Sequence, residues 1–221
     1  MKIIAIPDLH GSNKGIDKIA NELSDADIVL LAGDLTNFGN VPDAARIVGE
    51  IRKYADEIYA VPGNCDYGDV NQYLIEQGIG LHGKGAVIDG TAFVGVGGSL
   101  PAPGGTPTEY SESELQEFMD HAIEDVPDNL PLILMAHQPP LDTKIDRITS
   151  GTHVGSKAVR TFIEKHQPLI CFSGHIHEGV GVDSIGQTKL INPGPFRQGS
   201  YAFAEIGETT SILEIRKVKG N

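Results

Sequence analysis

The stretch KIIAIPDLHGSNKGIDKIANELSDADIVLLAGD, residues 2–34, decides the fold. It opens on a short apolar run (2–6), passes through a segment that reads as a helix (13–23), and closes on a second apolar run (28–32). Strand, helix, strand is a crossover unit, which makes its two strands parallel. The order continues downstream with a helix predicted over 42–54, a strand over 57–61 and a helix over about 69–77. The first third therefore predicts a parallel sheet with helical crossovers.

Beyond it, AVIDG (86–90) and TAFVGVG (91–97) read as a hairpin turning at Gly90. A Gly/Pro-rich loop follows, then a helix from Ser111, where Ser111 and Glu114 make a capping box. LPLILMAH (130–137) is a buried strand, HVGSKAVRTFIEKH (153–166) a helix, and PLICFSG (168–174) a strand. The remaining runs, GVGVDSIG, TKLIN, YAFAEI and SILEIRK, are expected to form an antiparallel meander. Two such halves without a long polar linker predict two sheets packed face to face with helices outside. The segments 98–110 and 138–153 are long loops, which in compact domains are usually functional or mobile.

A chain of 221 residues, 40% hydrophobic, suits a single globular domain over 1–221. Met1-Lys2 runs directly into a core strand with no leader pattern, and no apolar run is long enough to span a bilayer, so a soluble, cytoplasmic protein without a membrane partner is expected. Cys65 and Cys171 are too few for a disulfide framework and are expected to be free thiols in a reducing compartment. The net charge of −13, from 30 acidic against 17 basic residues, comes with no Lys/Arg cluster and argues against nucleic acid as a partner. A phosphoester still fits, provided bound metal supplies the local positive charge. No coiled-coil heptads appear, and the oligomeric state is not set by the sequence.

Seven metal-capable side chains follow predicted strands: Asp8, His10, Asp34, Asn64, His137, His175 and His177. Residues two apart in an extended segment point the same way, so Asp8 with His10, and His175 with His177, are expected to converge in pairs. A carboxylate can bridge two divalent ions, an imidazole offers one neutral nitrogen, and an Asn amide is a weaker neutral ligand. Asp34 is the natural bridge. Two divalent ions outweigh Asp8, Asp34 and one hydroxide by about one positive charge, which attracts a phosphoryl group. Ions roughly 3.5–4 Å apart can activate a shared water and stabilise an in-line displacement. Taken singly, an Asp after a strand is usually a cap or turn former, and a lone His is a surface or hydrogen-bonded residue. His82, His121 and His166 are read in that ordinary way.

The full set, DLH (8–10), GD (33–34), GNCD (63–66), AH (136–137) and GHIH (174–177), resembles the calcineurin-like metallophosphoesterase superfamily over nearly the whole chain. The resemblance implies an α/β (α+β) fold, a four-layer αββα sandwich of two mixed β-sheets flanked by helices. It also implies that Asp8, His10, Asp34 and His177 hold one metal, and Asp34, Asn64, His137 and His175 the other. GGS, TPTEYSESEL (106–115), HVGSKAVRTFIE and the tail LINPGPFRQGSYAFAEI (190–206) are similar to small prokaryotic Icc-related predicted phosphoesterases. The mixed ligand set suits two divalent ions, Mn²⁺ or Fe first, with Zn²⁺, Co²⁺ and Ni²⁺ compatible. No organic cofactor is needed.

Many superfamily members carry His after the motif Asn, where this chain has Cys65. A thiol neither carries positive charge nor donates a strong hydrogen bond, so leaving-group assistance should be weak. In the small prokaryotic relatives a non-His residue there goes with diester hydrolysis. The expected function is thus a dinuclear phosphodiesterase acting on a small or nucleotide-like phosphodiester, with a metal-bridging hydroxide as nucleophile and Asp34 and Asn64 in the catalytic centre. His153, ending a long loop, is the candidate replacement acid or phosphate ligand. Cys65 itself is read as a small buried loop residue. Asn37, Ser99, Lys144, Arg147 and Arg197 are possible neighbours of the site without an assigned role. The alternatives are a phosphomonoesterase or protein phosphatase of the same superfamily, and a non-catalytic metal-binding scaffold.

Overall fold

A computed structural model describes residues 1–207 and 210–219. Strands β1 (Lys2–Ile6), β2 (Ile28–Ala32) and β3 (Ile58–Val61) alternate with helices α1 (Ala20–Asp25), α2 (Val41–Ile51) and α3 (Gly68–Glu76). As the sequence predicts, β1, β2 and β3 pair in parallel. The helix expected over 13–23 is shorter. Gly15 sits at φ +91°, outside the helical region, and only a 3₁₀ turn at Asp17–Ile19 leads into α1.

The second half runs β4 (Lys84–Ile88), β5 (Thr91–Val96), α4 (Glu112–Glu124), β6 (Leu132–Ala136), α5 (Lys157–His166), β7 (Ile170–Phe172), β8 (Gly181–Ile185) and β9 (Thr188–Asn192). Asp89 and Gly90 both take positive φ between β4 and β5, the backbone that a two-residue hairpin turn requires. Ser111 Oγ accepts from Glu114 N and the Glu114 carboxylate from Ser111 N, so the expected capping box starts α4. The next predicted helix begins four residues late. Ser156 caps α5 through Val159 N, and His153 lies in the loop before it.

One expectation fails at the C-terminal end. The last four strands are not one meander: β8 and β9 form a hairpin in the second sheet, whereas β10 (Ser200–Ile206) and β11 (Thr210–Lys217) join the first. The chain changes sheets at Pro193-Gly194-Pro195 and the 3₁₀ turn Phe196–Gln198, since proline ends strand pairing and β10 finds its antiparallel partner in β1. The strand orders are β11-β10-β1-β2-β3 and β4-β5-β6-β7-β9-β8.

Strand parity then builds the layers. Ile3, Ala5, Leu30 and Ala32 face Phe93, Ile133, Met135 and Phe172 of the other sheet in a shared buried cluster. Ile4, Ile6, Val29 and Leu31 pack instead with Ala44, Ile47, Val48 and Ile51 of α2, an i, i+3, i+4, i+7 stripe. Val94, Val96 and Leu134 pack with Leu115 and Met119 of α4 and Phe162 of α5. Each large side chain fully buried this way contributes about 1.5–3 kcal/mol. The result is the expected four-layer αββα sandwich of two mixed sheets. Because β1, β2, β3, β6 and β7 are parallel members of their sheets, the loops leaving their C-terminal ends can be gathered at one edge.

Candidate metal centre

Those loops carry all seven predicted ligands, and the backbone that presents them is not extended. Asp8, His10, Asp34 and His175 have φ of 55°, 47°, 50° and 63°, a left-handed conformation uncommon outside glycine. Asp8 and His10 therefore approach each other through a tight turn after β1 and not through the two-residue period of a strand. Ladders of main-chain bonds hold the strain: Asp8 N donates to Gly33 O, His10 N to Asp34 O and Gly11 N to Leu35 O. Small residues make room. A Cβ on Gly33 would overlap the His137 ring, and one on Gly174 would stand 2.6 Å from Asp8 Oδ2.

The side chains converge around Asp34. His10 Nε2 lies 3.6 Å from Asp34 Oδ2, and His137 Nε2 lies 3.5 Å from Asp34 Oδ1, so each carboxylate oxygen faces a different imidazole. On the first side, His177 Nε2 is 3.4 Å from Asp8 Oδ1 and 3.2 Å from His10 Nε2. On the second, Asn64 Oδ1 is 3.1 Å from His137 Nε2, and the His175 ring is 5.3 Å from that of His137 between centroids. His175 N donates to both Asp8 oxygens at 3.2 Å. Among the described residues, three donor groups lie close enough to share an ion: Asp8, His10 and His177; Asp8, Asp34 and His137; and His10, Asp34 and Cys65.

The electrostatics fit bound cations. Asp8 and Asp34 are both buried. Burial raises the Asp34 pKa and the Asp8 charge adds to it, outweighing His137 and the Cys65 N–H. Burial acts in the same sense on Asp8, but the His177 hydrogen bond and nearby histidines win and the net shift is downward. Two carboxylates this close and this dry call for positive charge between them. Burial depresses His10 to about 4 and His175 to about 3, which keeps both imidazoles neutral and their lone pairs free at neutral pH. His137 Nδ1 lies 2.8 Å from Ala32 O; donation there turns Nε2 toward Asp34 and Asn64, the arrangement metal-binding histidines use.

Several supporting residues carry no obvious mark in the sequence. Asp66, fully buried, accepts from Gly63 N, Leu35 N, Thr36 N and Thr36 Oγ1, which ties the loop of Asp34 to the loop of Asn64. Burial, with the neighbouring Asp34 charge, pushes it up to about 6. Asn192 donates to Ile176 O and Gly174 O and accepts from Gly194 N, fixing the GHIH turn from the sheet-changing segment. The Asp at the end of GNCD and the Asn of LINPGP were the available signals; neither type of motif residue reveals its partners.

Cys65 is buried and its thiol is held far above the ordinary range by burial and the charges of Asp34, Asp66 and Asp8. Its backbone matters more, since Cys65 N donates to Asp34 Oδ1 at 2.8 Å. His153 is placed away from the expected role. Its Nδ1 is 2.6 Å from buried Asp146 Oδ1, and among the described residues no hydrogen bond or ring contact joins it to any of the seven. Buried Asp146 also accepts from Thr143 N and Gly155 N, so the His153 ring is drawn to the carboxylate that organises its own loop. Asn37 is exposed and among the described residues makes no hydrogen bond, and Ser99 is buried with its hydroxyl on Leu100 O. Arg197 reaches 3.5 Å from His177 Nδ1, whereas Lys144 and Arg147 line an open surface cleft with Glu178.

The chain is similar to several known proteins. An uncharacterised protein of Methanocaldococcus jannaschii is 36% identical over 200 residues, covering 88% of each chain. Protein TT1561 of Thermus thermophilus superposes with a TM-score of 0.75 at 19% identity over 99% of both chains. The phosphopantetheinyl hydrolase of Mycobacterium tuberculosis does so with a TM-score of 0.64 at 15% identity, over 89% of this chain and 90% of that one. These two are likenesses of fold. The calcineurin-like phosphoesterase family model matches residues 1–179, which span the ligand cluster from Asp8 to His177, and the chain belongs to that family.

Proposed function

We propose that this chain is a dinuclear metal-dependent phosphodiesterase acting on a small or nucleotide-like phosphodiester. The observation that carries the reading is Asp34, whose two oxygens are turned to His10 and His137 on opposite sides. In this reading Asp8, His10, Asp34 and His177 hold one ion, and Asp34, Asn64, His137 and His175 the other. Mn²⁺ or Fe suits the mixed nitrogen and oxygen donors best. Two such ions held by these residues would supply positive charge for phosphoryl oxygens and would lower the pKa of a bound water.

The chain's own residues set what the centre can do. Neutral His10 and His175 offer lone pairs, and the Ala32 carbonyl orients His137. Next to Asn64 stands an uncharged thiol where an imidazole could have protonated a leaving group. A site without that acid turns over esters whose leaving group departs unaided; the preference for diesters over monoesters rests on the resemblance, in which a non-His residue at this position goes with diester hydrolysis. His153 serves in this reading as a brace for its loop. The two free, buried cysteines suit a reducing, cytoplasmic setting.

The test assays aryl phosphodiesters and aryl phosphomonoesters side by side, with Mn²⁺-loaded and chelator-treated protein. Mn²⁺-dependent turnover with higher kcat/KM on the diester is expected. Faster monoester hydrolysis would make the chain a phosphatase. No hydrolysis, together with a stoichiometric co-purifying partner, would make it a metal-binding scaffold.

A further inference from the structure

Beside His175 a cavity of about 340 Å³ opens between the two long loops, lined by Leu100, Pro103, Ile148, Val154 and Ile176. We infer that it receives a hydrocarbon substituent, alkyl or aryl, on one ester arm of the substrate; the inference rests on the phosphodiesterase reading and names its substrate class. Two observations carry it. First, His175 belongs both to the ligand cluster and to the cavity wall, so a group esterified to a phosphate at the centre is within reach of the cavity.

Second, apart from the His175 ring, the side chains of the wall are mostly apolar and its main-chain N–H groups are largely spent. Pro101 and Pro103 have no N–H. Leu100 N donates to Gln138 Oε1 at 3.1 Å and Ala102 N to Glu109 Oε1 at 3.1 Å. The same Glu109 oxygen is taken by Thr106 N and Thr106 Oγ1. Gln138 Nε2 donates to Val154 O at 2.9 Å, so this buried amide clamps both loops with one bond at each end. A nucleobase or sugar edge entering such a wall would lose its water for few replacement bonds, whereas a hydrocarbon gains by leaving water. The clamp also means the cavity is formed before the ligand arrives.

The experiment assays the Mn²⁺-loaded full chain on p-nitrophenyl phosphodiesters, keeping the leaving group constant and varying the second arm as methyl, hexyl, phenyl or 5′-thymidyl. The hexyl and phenyl esters are expected to exceed the methyl and thymidyl esters in kcat/KM by at least about tenfold. Ile148→Asn and the isosteric Val154→Thr should each shrink the hexyl-to-methyl ratio by at least about threefold, with thermal unfolding confirming that both fold. Equal rates across the series, or preference for the thymidyl ester, would overturn the inference. Binding of hexylphosphonate against methylphosphonate separates it from the catalytic reading. Preferential hexylphosphonate binding by about tenfold, without turnover of any diester, would keep the cavity's specificity and remove the phosphodiesterase; equal binding without turnover would remove both.

Discussion

Gly63 lays its bare Cα against the Asp34 side chain, so closely that a Cβ would overlap both Asp34 Oδ1 and Asp34 N. The neighbouring Asp66 carboxylate pins Gly63 N at 2.8 Å, and Cys65 N pins Asp34 Oδ1, leaving little room for either loop to yield. Gly63→Ala should therefore move Asp34 off its position between His10 and His137. Displacements near 1 Å at such a centre cost about a hundredfold in rate. Phosphoester turnover by Mn²⁺-loaded Gly63→Ala should fall by that order, and unchanged turnover would show that the placement of Asp34 is not critical.

Asp34 and His10 should behave differently when replaced. Asp34→Asn removes a charge shared by both halves of the cluster, whereas His10→Ala removes a donor from the Asp8 and His177 side alone. Elemental analysis of the Mn²⁺-equilibrated variants should show both ions weakened in Asp34→Asn and chiefly one in His10→Ala. The loss of affinity should exceed the roughly 10–100-fold that follows removal of an outer partner. Two ions retained in Asp34→Asn would contradict the bridging assignment.

The cluster was readable because strand ends are readable. Short apolar runs closing on Asp8, Asp34, Asn64 and His137 place those residues at the edge of a sheet, whichever side chains surround them. What escaped depends on distant partners. The left-handed turns at Asp8 and His10 are imposed by main-chain bonds to residues 33–35, which no local pattern announces. The split of the last four strands between sheets depends on β1 accepting β10 as an antiparallel neighbour, a pairing between opposite ends of the chain. Nothing local to Asp66 or Gln138 announces its partners; the hydrogen bonds show that each joins two loops.

His82 gives the fold a pH dependence of its own. Its Nδ1 accepts from Gly97 N at 2.9 Å, and its ring packs on Tyr110 and Phe118, so the folded state needs it neutral. Burial lowers it from 6.5 to about 4. Above pH 6.5 both states are neutral and the group has no effect; below that, the unfolded chain takes up a proton that the folded chain refuses, and stability falls until about pH 4. The loss from this residue is on the order of 2–3 kcal/mol. His10 and His175 titrate in the same sense in metal-free protein, so His82→Asn should flatten, without abolishing, the decline in chelator-treated protein followed by urea unfolding between pH 7 and 4. An unaltered slope would show that His82 is protonated in the folded state.

His153 separates a brace from a catalytic acid. Its contact with Asp146 at 2.6 Å is half-exposed, so removing it should cost about 1 kcal/mol, below the value of a buried charged hydrogen bond. His153→Ala is expected to lower the unfolding midpoint by a few degrees, on the order of 2–4 °C for a chain of this size. Asp146 retains its main-chain donors from residues 142, 143 and 155, so the loop keeps its course. Since among the described residues no hydrogen bond or ring contact links His153 to the ligand cluster, the pH profile of diester turnover should keep its shape. A displaced limb in that profile, with folding intact, would instead mean that the imidazole leaves Asp146 to exchange a proton with the substrate.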